Sequence, residues 1–285
     1  MRREEEINVK SLSMIVTTFW AIAAFSQPLQ NNNVAQLLSS APQLLIPVAG
    51  STPGANGTFF KSDITLGNFA ARPQTVRLQW LPQGVSSTFS TTIMLGALSF
   101  IRSDDFVHDH LGQSGLGAIL VTGITSGGDV DPTASLYVAS RIWSPQPGTG
   151  GTTSQTLPAI PTASINTPDA ALFSLGGQGN FRTNVGLVNI DPVNQQTFHI
   201  VFTQSPIPFF ISVTVPPMSM QQGSLGNSSF FGPEILIQNG TPAATRSNLW
   251  VAYGSTVDNI TGDAWSELGV PGAPNINPPG PIGKE

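Results

Sequence analysis

The sequence predicts an all-β protein made of two tandem β-sandwich domains. Apolar and polar residues alternate along several short stretches, and clusters of Gly, Pro, Asn and Ser separate these stretches. A period of two is typical of half-buried antiparallel strands, and short strands joined by turns are typical of sandwiches. One stretch of sequence also occurs twice, so the second domain is predicted to be a copy of the first.

The repeated stretch lies at 60–68 and at 181–189, where the chain reads FKSDITLGN and FRTNVGLVN. Nearly every position is identical or chemically similar. Two later pairs of segments align in the same order: 118–122 with 234–238, and 140–142 with 255–257. This alignment places Ser140 opposite Ser255. Internal duplication of one unit explains the conserved order better than chance.

The alternation assigns residues to the two faces of each predicted strand. In the first copy, Phe60, Ile64 and Leu66 fall on the face predicted to be buried, and Asp63 falls on the solvent face. Further alternating runs lie at 76–80, 89–95, 136–142, 198–202, 211–215 and 249–253. The period within each unit is therefore that of strands.

One short helix is predicted in the first domain. Ser103 can cap its N-terminus, and Asp104 and Asp105 suit the positive end of its dipole. Gly112 can adopt the left-handed conformation that ends a helix. The helix is expected to close one end of the first sandwich.

Composition and turn-rich stretches divide the chain into four predicted segments. These are a signal peptide (1–26), a first sandwich repeat (27–163), a second sandwich repeat (164–270) and a flexible Pro- and Gly-rich tail (271–285).

The N-terminus resembles a secretory signal peptide, because basic residues precede an apolar stretch and small residues follow it. Arg2, Arg3 and Lys10 come before the apolar residues 11–25, and residues 24–26 read AFS. Acidic residues at 4–6 weaken the basic region, which leaves an uncleaved anchor or an early start codon as alternatives. No other stretch reaches the ~18–20 apolar residues of a membrane span. We expect a secreted or cell-surface protein with no membrane span in the mature chain.

Composition excludes several classes of protein. Charged residues make up 9% of the chain and the net charge is −5, without a basic run that would bind phosphate backbones. Nucleic acid is therefore not an expected partner. The chain has no cysteine, which excludes disulfides, thiolate metal sites and a cysteine nucleophile.

Three stretches resemble a known group of proteins. Residues 54–63 (GANGTFFKSD), 180–189 (NFRTNVGLVN) and 255–263 (STVDNITGD) are similar to segments of uncharacterised bacterial secreted proteins with tandem immunoglobulin-like β-sandwich repeats. The resemblance implies export and two tandem immunoglobulin-like domains. It implies no catalytic residues.

Two stretches could bind metal ions but also have simpler interpretations. His108 and His110 share a face only on a strand, so the predicted helix favours a structural role for them over a transition-metal site. Residues 258–263 place oxygen ligands around a Gly turn and could hold calcium, although Asn–Gly turn chemistry explains them as well. We therefore assign no metal, cofactor-binding or catalytic residue from the sequence.

Catalysis is not expected, since the few histidines and glutamates lack the context of a triad or of a carboxylate pair. His199, for instance, falls on the predicted solvent face of its strand. Trp80 is predicted to pack in a core, whereas Trp143 and Trp250 could form a sugar platform. We predict a non-catalytic secreted or cell-surface structural or interaction protein, with a surface protein, a glycan or a second copy of itself as partner. A carbohydrate-binding module with exposed Trp residues is the alternative.

Overall fold

The computed structural model describes residues 40–54, 57–146, 148, 150–173, 180–202, 209–225 and 234–272. These residues form antiparallel β-sheets with one short α-helix and a single 3-10 turn at Thr162–Ser164, which confirms the predicted all-β class. A compact unit begins at Ser40. The predicted signal peptide (1–26) lies outside the described residues, as does the tail after Gly272.

Eighteen strands and a helix follow one another along the described chain, and we divide them into two halves. The first half contains β1 (Gln43–Pro53), β2 (Phe59–Asn68), β3 (Gln74–Pro82), β4 (Ser90–Leu95), β5 (Ser99–Ser103), α1 (Phe106–Leu111), β6 (Gly115–Ile124), β7 (Leu136–Pro145), β8 (Thr152–Thr156) and β9 (Ile160–Pro161). The second half contains β10 (Asp169–Phe173), β11 (Phe181–Asn189), β12 (Gln196–Phe202), β13 (Phe209–Val215), β14 (Ser219–Ser224), β15 (Glu234–Asn239), β16 (Trp250–Asp258), β17 (Ala264–Leu268) and β18 (Val270–Pro271).

Both halves arrange their strands in two layers with the same pairing order. One layer of the first half runs β4-β3-β6-β1 with β9 beside β1, and the other runs β5-β2-β7-β8. The second half repeats these layers as β13-β12-β15-β10-β18 and β14-β11-β16-β17. Each strand of the first half therefore has a counterpart at the same place in the second.

The two layers of the first half are joined by β1. This strand pairs with β6 along most of its length, shifts register between Ile46 and Ala49, and then pairs with β2 at Ser51. Such an irregularity bends a strand and lets it pass from one layer to another. The first half is thus one nine-stranded sheet, whereas the second half has separate sheets of five and four strands.

Each half encloses its own hydrophobic core between its two layers. In the first half, Ile64 and Leu66 of β2 lie in this core as predicted, and so does Trp80 of β3. In the second half, Phe202 occupies the place of Trp80 and is likewise buried. The period of two therefore identified Ile64, Leu66 and Trp80 correctly, whereas Phe60, also predicted to be buried, is only half-buried and does not belong to this core.

A third hydrophobic cluster, here called the junction core, contains residues of both halves. It forms where the outer face of β1, β3 and β6 meets the outer face of β11, β14 and β16. Its buried members are Leu45, Val48, Leu81, Ala118, Leu120, Leu157, Ile165, Val188, Met220, Val251 and Tyr253. The two halves are consequently packed against each other over an apolar surface.

A buried asparagine with the same pattern of hydrogen bonds stands at the end of both β2 and β11. Asn68 is fully buried, donates from Nδ2 to the carbonyls of Arg72 (2.7 Å) and Gly96 (2.9 Å), and accepts the Ala70 N–H. Asn189 is equally buried. Its Nδ2 donates to one carbonyl in the loop that follows β11 and to another at the end of β13, and its Oδ1 accepts a backbone N–H of the same loop. Each asparagine satisfies backbone groups that would otherwise be buried without partners.

Helix α1 lies at the predicted place, and Gly112 ends it with a φ of 60°. The predicted N-cap is wrong by two residues, because Asp105 occupies that position. Ser103 instead accepts the Asp105 N–H at 3.1 Å, in a turn that directly precedes the helix. Among the described residues, no helix has the length and apolar character needed to cross a membrane.

Strand register corrects one detail of the sequence alignment. Ser140 pairs with Ile64 of β2, and the residue of β16 that pairs with the corresponding Val185 of β11 is Gly254, not Ser255. The aligned serines were chemically identical but differ by one residue in register. A one-residue shift exchanges the two faces of a strand.

Candidate functional site: a cavity between the two halves

A cavity of about 380 Å³ lies beside the junction core and is lined by both halves. The first half contributes residues of β1, β7 and β8, and the second half contributes residues of β11, β14 and β16. Most of its polar lining consists of amides, hydroxyls and two guanidinium groups, among them Arg141, Gln155, Arg182, Asn184, Gln222 and Tyr253. Cavities of this size accommodate small ligands.

Tyr253 forms one wall of the cavity and is fully buried. It lies on β16 opposite Gly186 of β11, where the absence of a side chain leaves space for the aromatic ring. Its hydroxyl donates a 2.8 Å hydrogen bond to Oε1 of Gln222. Burial raises the pKa of Tyr253, so the phenol stays neutral and acts as a donor.

Polar contacts between β8 and the second half close the cavity on one side. Gln155 accepts a 2.7 Å hydrogen bond from the Ser255 hydroxyl and donates to the Thr256 carbonyl at 3.3 Å. Ser266 of β17 donates to the Thr156 carbonyl at 2.9 Å. These bonds join strands that belong to different halves, and they fix the width of the cavity.

The cavity lining contains two arginines and no carboxylate. Arg141 donates from Nε to Asp63 at 3.1 Å. Arg182 donates to the neutral amide oxygen of Asn259, and no carboxylate within the described residues forms an ion pair with it. Its counterpart in the first half, Lys61, pairs with Asp105 at 3.4 Å. Of the two arginines that line the cavity, Arg182 alone therefore lacks a carboxylate partner among the described residues.

Asp63 occupies the outer face of β2, as the alternation predicted, yet it is only 7% exposed. Arg102 covers it with two hydrogen bonds of 2.9 and 2.8 Å, and Arg141 adds a third. The Arg102 hydrogen bond is the main reason that the pKa of Asp63 lies below its ordinary value. This carboxylate is held ionised by its partners and is not placed to transfer protons.

The two histidines of α1 do not converge. His108 contacts Asp109 through Nδ1 at 3.1 Å, whereas the ring of His110 packs on Phe106 with the centroids 4.5 Å apart. In the part of the chain that the structure describes, no three His, Asp or Glu residues are grouped closely enough to hold a metal ion.

The loop at 258–263 joins β16 to β17 as a tight turn. Asp258 accepts the Ile260 N–H and the Thr261 hydroxyl, both at 2.8 Å, and Gly262 takes a φ of 76°. The backbone hydrogen bond from Ile260 is the main cause of the lowered pKa of Asp258. Turn formation therefore uses both carboxylate oxygens of Asp258, one of the residues in the candidate calcium loop.

The predicted sugar platform is wrong for one of its two tryptophans. Trp250 is fully buried in the core of the second half, with its ring 4.5 Å from that of Phe198. It faces inward because Val251 and Tyr253 take the outer face of β16. Trp143 is half-buried beside Lys61, and its indole N–H donates to the Asp104 carbonyl at 2.9 Å.

The cavity residues were not identified from the sequence. They lie on the outer faces of strands, and their proximity depends on how the two halves pack. One signal was present in the repeat itself: the charged Lys61 and Asp63 of the first copy align with Arg182 and Asn184 of the second. The second copy therefore keeps a cation at the first of these two positions and has a neutral amide in place of the carboxylate at the second.

Neither protein-family models nor the sequences of curated proteins match this chain.

Proposed function

We propose that this is a non-catalytic structural and interaction protein of the cell surface or the secreted fraction. In this proposal, two immunoglobulin-like β-sandwiches related by duplication form one rigid body that presents its loops and outer faces to a partner. The junction core is the main observation in support, because a buried apolar contact between domains restricts their relative motion.

Repeated local details support the duplication. The two halves share one pairing order, and Asn68 and Asn189 make the same kind of loop contacts. Leu98 and Met218 also occupy equivalent turns with φ of 49° and 47°, which is uncommon for residues other than glycine. Duplication of one unit explains these matching irregularities more simply than two independent origins would.

The non-catalytic role is supported by how three of the described aspartates are used. Asp63 binds two arginines, Asp131 binds Arg72, and Asp258 forms a turn. Each of these groups stabilises local structure, and hydrogen bonds to each carboxylate lower its pKa.

Two measurements test this proposal. Fractionation of the native host is expected to place the protein outside the cytoplasm, and mass spectrometry is expected to show that residues 1–26 have been removed. Calorimetry of the purified protein is expected to show one cooperative transition for both halves. A cytoplasmic full-length chain, or two independent transitions, would contradict the proposal.

Saccharide binding at the cavity is a second candidate function, and its chemistry differs from that of a Trp platform. Arginine and amide side chains such as Arg182, Asn184 and Gln222 form the planar hydrogen-bonding surfaces that sugar hydroxyls and carboxylates require. Titration calorimetry with neutral and uronic oligosaccharides tests it. Arg182→Ala is expected to abolish any binding. Arg77→Ala is the control and is expected to retain binding, because the guanidinium of Arg77 donates to the Gly128 carbonyl away from the cavity.

A further inference from the structure

The outer face of β5, β2 and β7 in the first half carries a cluster of three charged residues. Asp63 of β2 lies opposite Arg141 of β7, and Thr65, on the same face of β2, lies opposite Arg102 of β5. Both arginines donate to the Asp63 carboxylate, at distances from 2.8 to 3.1 Å. Each guanidinium group of this cluster therefore has a carboxylate partner within the protein.

The second half has neutral polar residues at the three equivalent register positions. The replacements are Asn184 for Asp63, Ser255 for Arg141 and Gln222 for Arg102. All three replacements line the cavity. Two amides and a hydroxyl thus stand where the first half has a carboxylate and two guanidinium groups.

Contact with the first half does not explain the two amides. Where β11, β14 and β16 pack on the first half their outer faces are apolar, as at Val188, Met220 and Val251 of the junction core. Apolar residues suit a covered face because a buried polar group costs free energy unless it is hydrogen-bonded. Among the described residues, neither Asn184 nor Gln222 makes a side-chain hydrogen bond to the first half. Their polar groups are therefore available to an occupant of the cavity.

The lining offers both donors and acceptors to a hydroxylated ligand. Gln222 accepts the Tyr253 hydroxyl through Oε1 at 2.8 Å, which leaves its NH2 group to donate. Ser255 donates to Gln155 at 2.7 Å, so its oxygen remains as an acceptor. The amide of Asn184 can both donate and accept. A hydroxyl group of a ligand can pair with each of these three side chains.

Arg182 adds one positive charge to the same lining. Its equivalent in the first half, Lys61, pairs with Asp105, whereas Arg182 donates to the neutral amide oxygen of Asn259. A guanidinium group binds a carboxylate through two parallel charge-assisted hydrogen bonds, which are stronger than bonds to a neutral acceptor. A ligand can supply the carboxylate that the described residues do not provide.

We propose that the cavity binds an acidic sugar, with its carboxylate on Arg182 and its hydroxyl groups on Asn184 and Gln222. This inference rests on the second candidate function, saccharide binding at the cavity, and names the class of saccharide. The C–H groups of the sugar ring would contact apolar parts of the lining, such as Val48 and Leu116. The volume of about 380 Å³ lies in the range of sites for small ligands.

Titration calorimetry of the protein purified from its native host tests this inference with three probes. These are galacturonate, galactose and hexanoate, at about pH 7. Galactose lacks the carboxylate and hexanoate lacks the hydroxyl groups, so each loses part of the proposed contacts. Galacturonate is expected to bind at least ~10-fold more tightly than either, which is the effect of losing one charge-assisted hydrogen bond.

Two substitutions within the cavity separate charge from shape. Asn184→Asp returns a carboxylate to the place of Asp63, and it is expected to weaken galacturonate binding about 10- to 100-fold without weakening galactose binding. Arg182→Gln keeps a hydrogen-bond donor but removes the charge, and it is expected to bring galacturonate to the affinity of galactose. Arg77→Gln is the control, because it removes a positive charge away from the cavity. It is expected to bind all three probes like the wild type.

Equal affinity for galacturonate and galactose would overturn the inference and leave the saccharide candidate standing. Hexanoate binding as tight as that of galacturonate would also overturn it, as would an Asn184→Asp protein that binds galacturonate like the wild type. If none of the three probes binds, the inference and the saccharide candidate both fail. The structural and interaction role then still stands on its own tests, which are localisation and a single unfolding transition.

Discussion

Gly186 lies directly under the ring of Tyr253, and a Cβ at position 186 would be only 2.0 Å from the ring carbon Cζ. The two residues face each other across β11 and β16, with the tyrosine on the side that packs against the first half. The glycine is thus required by close approach, since the missing side chain provides the space in which the buried ring lies.

Replacement of this glycine is expected to destabilise the protein. Gly186→Ala would force the Tyr253 ring out of its position and disturb both the junction core and the cavity wall. Overpacking of this kind costs about 1–3 kcal/mol in the free energy of unfolding, which urea denaturation measures. Gly223→Ala on the neighbouring β14 is the control, because a Cβ there meets nothing within 4 Å. Equal effects of the two changes would contradict this packing argument.

The buried asparagines that end β2 and β11 are expected to contribute similarly to stability. Asn68→Ala and Asn189→Ala each leave buried backbone groups without partners, which costs about 1–3 kcal/mol. Asn248→Ala is the control, since that side chain makes an exposed hydrogen bond to Asn166. Denaturant unfolding of the three variants measures the difference. A large loss for only one of the two buried asparagines would argue against equivalent roles.

Sequence reasoning succeeded where a strand has one buried face and failed where it has two. The alternation in β2 correctly put Ile64 in the core and Asp63 outside it. In β16, Trp250 and Val251 are both apolar and both buried, one in the core of its own half and one against the other half. When both faces of a strand carry apolar residues, alternation cannot show which face lies in the core of its own half. The burial of Trp250 is therefore seen only in the structure.

The candidate site was harder to predict for the same physical reason. The cavity exists because outer faces of strands that are distant in sequence meet at the junction, as Gln155 meets Ser255. Neither residue belongs to a motif, and an amide or hydroxyl on an outer face ordinarily indicates solvent contact. Packing between the two halves depends on the loops and outer faces in which the halves differ.

Acid is expected to weaken the loop between β6 and β7. Hydrogen bonds from Thr133 first, and then from Arg72, lower the pKa of Asp131 from 3.8 to about 2. A carboxyl whose pKa is lower in the folded state stabilises the fold above its unfolded-state pKa, and this stabilisation is lost as the pH falls from about 4 to about 2. Asp131→Asn is therefore expected to show a shallower decrease in stability over this range.

Urea unfolding at about pH 6 and at about pH 2.5 measures this effect. Asp129→Asn, an exposed position in the same loop, is expected to keep the wild-type pH dependence. If Asp131→Asn loses as much stability on acidification as the wild type, the ion pair with Arg72 does not contribute to acid sensitivity.

The strongest comparison uses two residues at the same register position in the two halves. Met220 pairs with Val188 and is fully buried in the junction core, whereas Phe100 pairs with Gly67 and is 73% exposed. Met220→Ala removes buried contacts between the halves and is expected to cost about 2–5 kcal/mol. Phe100→Ala is expected to change stability by less than about 0.5 kcal/mol.

Calorimetry gives a second readout of the same pair. If the junction core couples the halves, Met220→Ala should lower the cooperativity of unfolding as well as the midpoint, because each half then depends less on the other. Phe100→Ala should leave a single transition. A Met220→Ala protein that unfolds in one unchanged transition would mean that the halves are held together by the polar contacts of β8 with the second half. The apolar surface would then not be what makes the two sandwiches one body.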